Sequence, residues 1–149
     1  MKKILSLAAI LTAFMFTQAN AEVIGVVEFD KIVDNYTKVK TVTDEMSDKY
    51  AEIARYRLDK ESEYNKLSTP LERNNFNEAL TRDLMKKQEA YMKLKLKKEA
   101  EIDAAIKNAI KQVAIANKVD TVVEKTVVFF GGIDLTDKVV KQLNSGSVK

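Results

Sequence analysis

The fold is decided at residues 67–72, Leu-Ser-Thr-Pro-Leu-Glu, where a long helical pattern is interrupted once. Thr69 suits the N-cap of a helix, Pro70 suits its first position, and Glu72 follows the cap by three residues, which makes a capping box. A proline also disfavours the helical conformation in the residue before it, so an earlier helix must end at or before Thr69. The stretch therefore predicts a turn between two helices.

The sequence on both sides of this turn has a helical pattern. No glycine occurs from Lys38 to Lys118, and Pro70 is the only proline of the chain. Apolar side chains recur there every three or four residues, at Val39, Val42, Met46, Tyr50, Ile53 and Tyr56, and then at Phe76, Leu80, Leu84, Tyr91, Leu94, Ile102, Ile106, Ile110 and Val113. This spacing is typical of a coiled-coil seam. We predict an antiparallel hairpin arm over residues 38–118 that turns near 68–70, with a single proline-kinked helix as the alternative.

Charge patterning supports the hairpin. Residues 44–63 carry seven acidic side chains against four basic ones, and residues 86–98 carry six lysines against Glu89 alone. In a hairpin centred near Thr69, the numbers of facing residues sum to about 139, which places Lys93 to Lys98 beside Asp44, Glu45 and Asp48. Because each exposed pair contributes only a few tenths of a kcal/mol, the charges indicate register more than stability.

The two ends of the pattern read as short strands. The run 23–29 is rich in β-branched residues and suits a buried strand, with Asp30 as N-cap of a following helical turn. Residues 119–123 and 127–130 predict two further strands joined by a polar turn. Gly131 and Gly132 predict a tight turn, and Asp134 can cap a last helix that runs through Leu143.

These elements predict an α+β fold with a small β-strand body and one long protruding helical hairpin. Residues 22–37 and 119–144 form the body, and residues 145–149 form a mobile tail. Three short strands leave open apolar edges that association with other copies can cover. The predicted oligomerisation residues are Ile24, Val26, Val122, Val128 and Phe130.

Residues 1–21 read as a leader rather than as part of the fold. Lys2 and Lys3 precede an apolar run from Ile4 to Phe16, and Ala19-Asn20-Ala21 is an A-x-A cleavage site. The run is shorter than the ~20 residues that span a bilayer, which disfavours the alternative of an N-terminal anchor. We therefore predict a cleaved signal peptide and a mature chain of 22–149 in the periplasm. Without Lys2 and Lys3 the chain keeps 23 basic and 22 acidic residues, close to neutrality.

Composition excludes most enzyme classes. The chain has no Cys and no His, so thiol nucleophiles, disulfides, zinc fingers and histidine-based triads are excluded, and no cofactor is predicted. The acidic residues recur along a solvated helix with no glycine-framed cleft beside them, which disfavours a paired-carboxylate hydrolase. Near-neutral charge and the absence of an aromatic-rich sheet motif disfavour nucleic-acid binding.

At these residues the chain resembles the Skp/OmpH-like family of periplasmic chaperones for outer-membrane proteins. The resemblance covers nearly all of the mature chain and is most specific at 127–137, Val-Val-Phe-Phe-Gly-Gly-Ile-Asp-Leu-Thr-Asp, followed by Val140 and Leu143. It implies a homotrimer with a shared β body and three arms around a cavity. It also implies an ATP-independent holdase that keeps unfolded outer-membrane proteins from aggregating.

The hairpin supplies candidate client-binding residues, because tyrosine, phenylalanine and methionine tolerate many contact geometries. They are Tyr50, Tyr56, Tyr64, Phe76, Met85, Tyr91 and Met92. Several of them lie on the predicted seam, so packing inside the coiled coil is an equal interpretation. Candidates for transient anionic-lipid contact are Lys86, Lys87, Lys93 and Lys97. A structural spacer or adaptor of the cell envelope stays open as the alternative function.

Overall fold

The computed structural model describes residues 22–146, so the predicted signal peptide and the last three residues of the predicted tail lie outside the described part. The elements in chain order are β1 (Ile24–Val27), α1 (Phe29–Asn35), α2 (Thr37–Tyr64), α3 (Pro70–Ala116), β2 (Thr121–Glu124), a 3-10 turn (Lys125–Val127), β3 (Ile133–Asp134) and α4 (Thr136–Asn144). A small sheet with one long helical hairpin confirms the predicted α+β fold.

The capping box at the turn is present in full. The Glu72 backbone N–H donates to the Thr69 hydroxyl at 3.2 Å, and the Thr69 backbone N–H donates to the Glu72 carboxylate at 3.0 Å. The Thr69 hydroxyl also donates to this carboxylate at 2.8 Å, and this bond, followed by the one from the Thr69 N–H, lowers the pKa of Glu72. Arg73 closes the turn by donating to the Leu67 carbonyl at 2.9 and 3.1 Å. The two helices pack side by side, so the kinked single helix is excluded.

The two helices of the hairpin differ in length. Helix α2 has 28 residues and α3 has 47, which correspond to about 42 and about 70 Å. The extra turns of α3 return into the body, where Ile106 and Ala109 are fully buried and Val113 nearly so. The surplus length of the second helix therefore supplies one wall of the core.

The three strands form a parallel sheet in the order β2-β1-β3. Val26 pairs with Val123 on one side and with Asp134 on the other. Parallel neighbours need a long crossover connection, and the whole hairpin is the crossover between β1 and β2. Below the sheet, Ile32, Ile106, Leu135 and Val139 have no exposed surface and form the centre of the core.

The strand predicted at residues 127–130 is wrong. The third strand is Ile133–Asp134, while Val128 is half-buried and Phe129 and Phe130 are fully exposed. The residues 127–130 have high β-propensity, but tertiary contacts decide which residues pair with β1. The Leu135 N–H donates to the Val26 carbonyl at 2.9 Å, and this bond aligns Ile133 and Asp134 with β1. Leu135 itself is completely buried, so burial of this side chain sets the register.

Two glycines make the turn into β3, as predicted. Gly131 and Gly132 have φ of +88° and +89°, in the left-handed region that glycine adopts without strain. A Cβ on Gly132 would lie 2.7 Å from Val26 Cγ1, whereas a Cβ on Gly131 would meet nothing within 4 Å. The second glycine is therefore required for close approach as well as for backbone conformation.

A charged cluster joins the carboxyl ends of the strands. Lys125 Nζ lies 2.7 Å from Glu28 and 2.9 Å from Asp134, and these partners raise the pKa of Lys125. Asp134 also accepts from the Thr136 N–H, the first of α4, at 2.9 Å, while Leu135 is the N-cap residue of that helix. Hydrogen bonds from Thr136, and then the one from Lys125, lower the pKa of Asp134 to about 2.

This cluster predicts a pH-dependent loss of stability. An unfolded aspartate has a pKa of about 3.9, so the stabilisation by Asp134 is present above that pH and is lost as pH falls toward about 2. We expect Asp134→Asn to lower the free energy of unfolding by about 1 kcal/mol at pH 7, a value discounted because the side chain is half exposed. Urea unfolding from pH 7 to pH 3 should show the difference shrinking below about pH 4.

Asp103→Asn is the control, because the ion pair of Asp103 within residues 22–146 is an exposed one with Lys107 on the same helix. It should cost a few tenths of a kcal/mol. A loss at Asp134 that stays constant down to pH 3 would contradict this account of the cluster.

Candidate functional site

The hairpin arm is thinly packed over most of its length. Within the described residues, the last buried side chain of α2 is Met46 and the first of α3 is Ile106. Between Ser47 and Ala105 every residue is half-buried or exposed. The outer part of the arm therefore presents apolar side chains that a single chain does not fully cover.

Five of the seven predicted client-binding residues lie where the two helices meet, and we call them the aromatic seam: Tyr50, Tyr56, Tyr64, Phe76 and Tyr91. The rings of Tyr50 and Tyr91 are 6.2 Å apart, and those of Tyr64 and Phe76 are 6.0 Å apart, both in tilted arrangements. Such pairs stabilise beyond their buried area by ~1 kcal/mol each. The seam therefore holds the hairpin closed, although Tyr50 keeps 62% of its surface exposed.

Tyr56 is fixed by polar contacts at the middle of the seam. Its hydroxyl donates to Asp83 on the opposite helix at 3.1 Å, and Lys87 Nζ lies 4.4 Å from the centre of its ring. Burial and then the hydrogen bond to Asp83 raise the pKa of Tyr56. These contacts keep the ring between the helices, where it is only half exposed.

Met85 and Met92 point away from the seam. They are 67% and 45% exposed, and Leu96 continues their row with 61% exposure. Spacings of seven and four residues put all three on one face of α3, while Leu84, Tyr91 and Leu94 on its other side are half-buried against α2. We call these three residues the methionine stripe. Leu96 is not among the client-binding residues predicted from the sequence. Its position four residues after Met92 would have placed it on the same face of the helix.

The opposing charges of the arm make fewer contacts than their pattern predicts. Among the described residues, Lys98 and Glu45, 2.7 Å apart, are the only ion pair that joins α2 to α3. The expected pairing of Lys93 to Lys98 with Asp44 and Asp48 is not formed.

The predicted register of the hairpin holds at Tyr56 and Asp83, whose numbers sum to 139, and differs by four residues at Lys98 and Glu45. Helical side chains lean toward the N terminus, so Lys98 reaches a partner one turn nearer the tip.

The four lysines predicted to contact lipid are all exposed on α3: Lys86, Lys87, Lys93 and Lys97. Lys87 stacks on Tyr56, and the structure shows no ion pair within 4 Å for the other three among the described residues. Their charges are therefore open to solvent and to external anions.

The predicted oligomerisation residues differ widely in exposure. Val26 is in the core at 3% exposure, Val122 and Val128 are half-buried, Ile24 is 45% exposed and Phe130 is 98% exposed. Strands β2 and β3 are the outer strands of the sheet, so each has one unpaired edge in the single chain. The body thus presents open edges and two phenylalanines, Phe129 and Phe130, to solvent.

An apolar groove of about 620 Å³ lies where the arm joins the body, and we call it the basal groove. Its floor is formed by Val42, Met46 and Ile106, and Phe29 and Val33 form the side nearest the sheet. Five polar residues also line the groove: Thr43, Ser47, Lys95, Glu99 and Asp103. This groove could not be predicted from the sequence, because residues from three helices meet only in the folded chain.

Two classes of site are not found in the described part of the chain. No helix within residues 22–146 combines the length and the hydropathy needed to cross a membrane. No group of three or more acidic side chains in these residues is placed to hold a metal ion.

Comparison with known proteins gives a family match. A family model described as outer membrane protein (OmpH-like) matches residues 23–143. A crystal structure of a provisionally named outer membrane chaperone (OmpH-like) from Caulobacter crescentus CB15 is similar, with 14% sequence identity and a TM-score of 0.38. The match covers 84% of this chain and 85% of that one. No curated protein matches the chain.

Proposed function

Because the chain belongs to the family of OmpH-like proteins, we propose that it is a chaperone of the Skp/OmpH type. In this proposal it is an ATP-independent holdase of the periplasm. It binds unfolded outer-membrane proteins in a cavity between the arms of an oligomer and prevents their aggregation before membrane insertion. This family is one of chaperones and is not a class of enzymes.

The observation that carries the proposal is the methionine stripe on an otherwise thinly packed arm. Met85, Met92 and Leu96 place three large apolar side chains in water on one face of α3, with the polar residues Gln88 and Glu89 between the two methionines. Exposed apolar side chains grouped on one face and bordered by polar residues mark interaction sites, and methionine adapts to partners of different shape. An unfolded β-barrel precursor exposes alternating apolar strand residues, which such a row can contact without selecting one sequence.

The holding of a client then depends on many weak contacts. Several arms present several stripes to one client, so the second and later contacts form at high effective concentration. Release follows when a more favourable environment, such as a bilayer, competes for the same apolar segments. No step in this cycle consumes a nucleotide.

The proposal includes assembly of copies into an oligomer, with three copies as the family resemblance implies. The open outer edges of β2 and β3 support it, because unpaired strand edges in a soluble protein are usually covered by association. The proposed interface lies in the body, which leaves the arms free on one side.

The exposed lysines of α3 suit a secondary contact with anionic lipid. Lys86, Lys93 and Lys97 extend into solvent, and each lysine near a charged membrane surface contributes about 1 kcal/mol. We propose this contact as transient, since the mature chain is close to neutral and no strong attraction to a membrane is expected.

The test uses the mature chain, 22–149. Its oligomeric mass is measured, and an outer-membrane β-barrel is then diluted from urea into buffer with and without the protein, in the absence of nucleotide. We expect an oligomer that keeps the barrel soluble. A stable monomer, or a barrel that aggregates at an unchanged rate, would refute the proposal. Pull-down of one folded envelope protein, instead of many outer-membrane proteins, would favour an adaptor.

Salt distinguishes apolar holding from electrostatic capture. Raising ionic strength from 0.05 to 0.5 M shortens the screening length to a few ångströms but leaves apolar contacts intact. We expect client affinity to fall by less than about fivefold over this range, as measured by fluorescence titration with a labelled barrel. Complete loss of client binding at moderate salt would show that electrostatic attraction, and not apolar contact, holds the client.

A further inference from the structure

Phe129 and Phe130 are exposed on the body, away from the arm surface to which the proposed client binding is assigned. Both side chains are fully exposed, and Val127 beside them is 69% exposed. Two adjacent phenylalanines that residues 22–146 leave almost wholly uncovered form an apolar surface that soluble proteins usually cover. We call residues 128–131 the phenylalanine loop.

The ends of this loop are fixed, so the two rings are held away from their own chain. On one side Lys125 is bound to both Glu28 and Asp134. On the other side Gly132 lies directly against Val26, with no space for even one more carbon atom. The loop is therefore a projecting feature of the body, and its place beside the sheet follows from the fold.

The basal groove is a concave apolar surface, and the phenylalanine loop is a projecting apolar one. The groove is open, its volume is about 620 Å³, and most of the side chains that line it are apolar, among them the buried Val42, Met46 and Ile106. Phe29 lines it on the sheet side, and the Phe29 N–H donates to Glu124, the last residue of β2 before the turn that leads to the phenylalanine loop. The loop and the groove thus both belong to the region where the strands end.

We propose that the phenylalanine loop of one copy inserts into the basal groove of a second copy. Each phenylalanine buries ~150–250 Å² in such a site, and the groove wall loses a similar area. Together these areas give about 800 Å², and pairing of the open edges of β2 or β3 would add enough to reach the ~1,200 Å² of a stable interface.

A second copy is the occupant that accounts for both surfaces at once. The donating loop and the accepting groove are different patches of the same chain, so every copy in a closed ring can both donate and accept. This inference rests on the proposed oligomer and specifies the contact that would hold it together.

The chain contains no cysteine, so single cysteines can report the contact. A tagged chain that carries Phe130→Cys is mixed in urea with an untagged chain that carries Thr43→Cys. The mixture is refolded and treated with a short bismaleimide cross-linker. Thr43 lines the groove, and Thr41→Cys on the opposite face of α2 is the matched control. Both threonines are exposed, and each donates its hydroxyl to the carbonyl four residues earlier.

We expect the Phe130→Cys and Thr43→Cys chains to cross-link at least about fivefold more than Phe130→Cys and Thr41→Cys. Equal yields from the two pairs, or no cross-link from the groove pair, would overturn the inference. A loop that folded onto the groove of its own chain would give no cross-link between a tagged and an untagged chain. If the wild-type chain is a monomer, the proposed assembly itself fails. An oligomer that holds clients but gives no groove cross-link refutes only the contact.

A double variant gives a second measurement. Phe129→Ser with Phe130→Ser should weaken association of the copies by at least about tenfold, as seen by analytical ultracentrifugation. Its circular dichroism should not change, because neither ring is covered by any part of the chain within residues 22–146. Leu71→Ser, at a residue 70% exposed near the tip of the arm, is the control and should leave the mass unchanged. Unaltered association of the double variant would contradict the proposal.

Discussion

Replacement of Gly132 by alanine is expected to lower the free energy of unfolding by about 3 kcal/mol. Alanine at φ of +89° costs ~1 kcal/mol or more, because its Cβ approaches the following carbonyl. The same Cβ would lie 2.7 Å from Cγ1 of Val26, a buried side chain in the central strand. Relief of that overlap requires a shift of β1 or β3 that costs a further ~1–3 kcal/mol.

Gly131→Ala separates the two causes. Gly131 has nearly the same φ, +88°, but a Cβ there meets nothing within 4 Å. It should cost ~1 kcal/mol, the conformational part alone. Urea unfolding of both variants at one chain concentration provides the comparison. Equal losses in the two variants would show that the close approach of Gly132 to Val26 contributes nothing.

The largest functional loss is expected from the methionine stripe. Met85→Gln, Met92→Gln and Leu96→Gln together replace the exposed apolar row by polar side chains of similar length and good helix propensity. Each apolar contact with a client contributes on the order of 1 kcal/mol, so the triple variant should bind an unfolded barrel at least tenfold more weakly. The measurement is the same titration with a labelled barrel.

The control changes three exposed lysines on the same helix, Lys86→Gln, Lys93→Gln and Lys97→Gln. It introduces the same new side chain over the same span and removes charge instead of apolar surface. We expect client affinity to stay within about twofold of the wild type. A larger loss in the lysine variant than in the stripe variant would reverse the assignment of the client surface.

The hairpin could be predicted because the rules that specify it are local. The capping box at Thr69 and Glu72 involves residues three apart, and the seam follows from spacings of three and four. The strand β1 was also predictable, since its β-branched run is bounded by polar residues. In each case the deciding interaction lies within a few positions of the residue concerned.

The third strand could not be predicted, because its place depends on distant residues. The run 127–130 has the composition of a strand, but Ile133 and Asp134 take the position beside β1 when Leu135 enters the core. The same limitation applies to the candidate site. Tyr91 and Met92 are adjacent in sequence, and only the position of α2 determines which one packs and which one faces solvent.

The parallel sheet has a consequence for the order of folding. Ile24 pairs with Thr121, so the strands meet only after the intervening chain has doubled back, whereas Tyr64 and Phe76 at the tip are close in sequence. Local contacts close with less entropy loss, so we expect folding to begin at the tip and the sheet to form last. Until then Ile24–Val27 is an unpaired apolar segment, of the same kind that the folded protein is proposed to shelter in others.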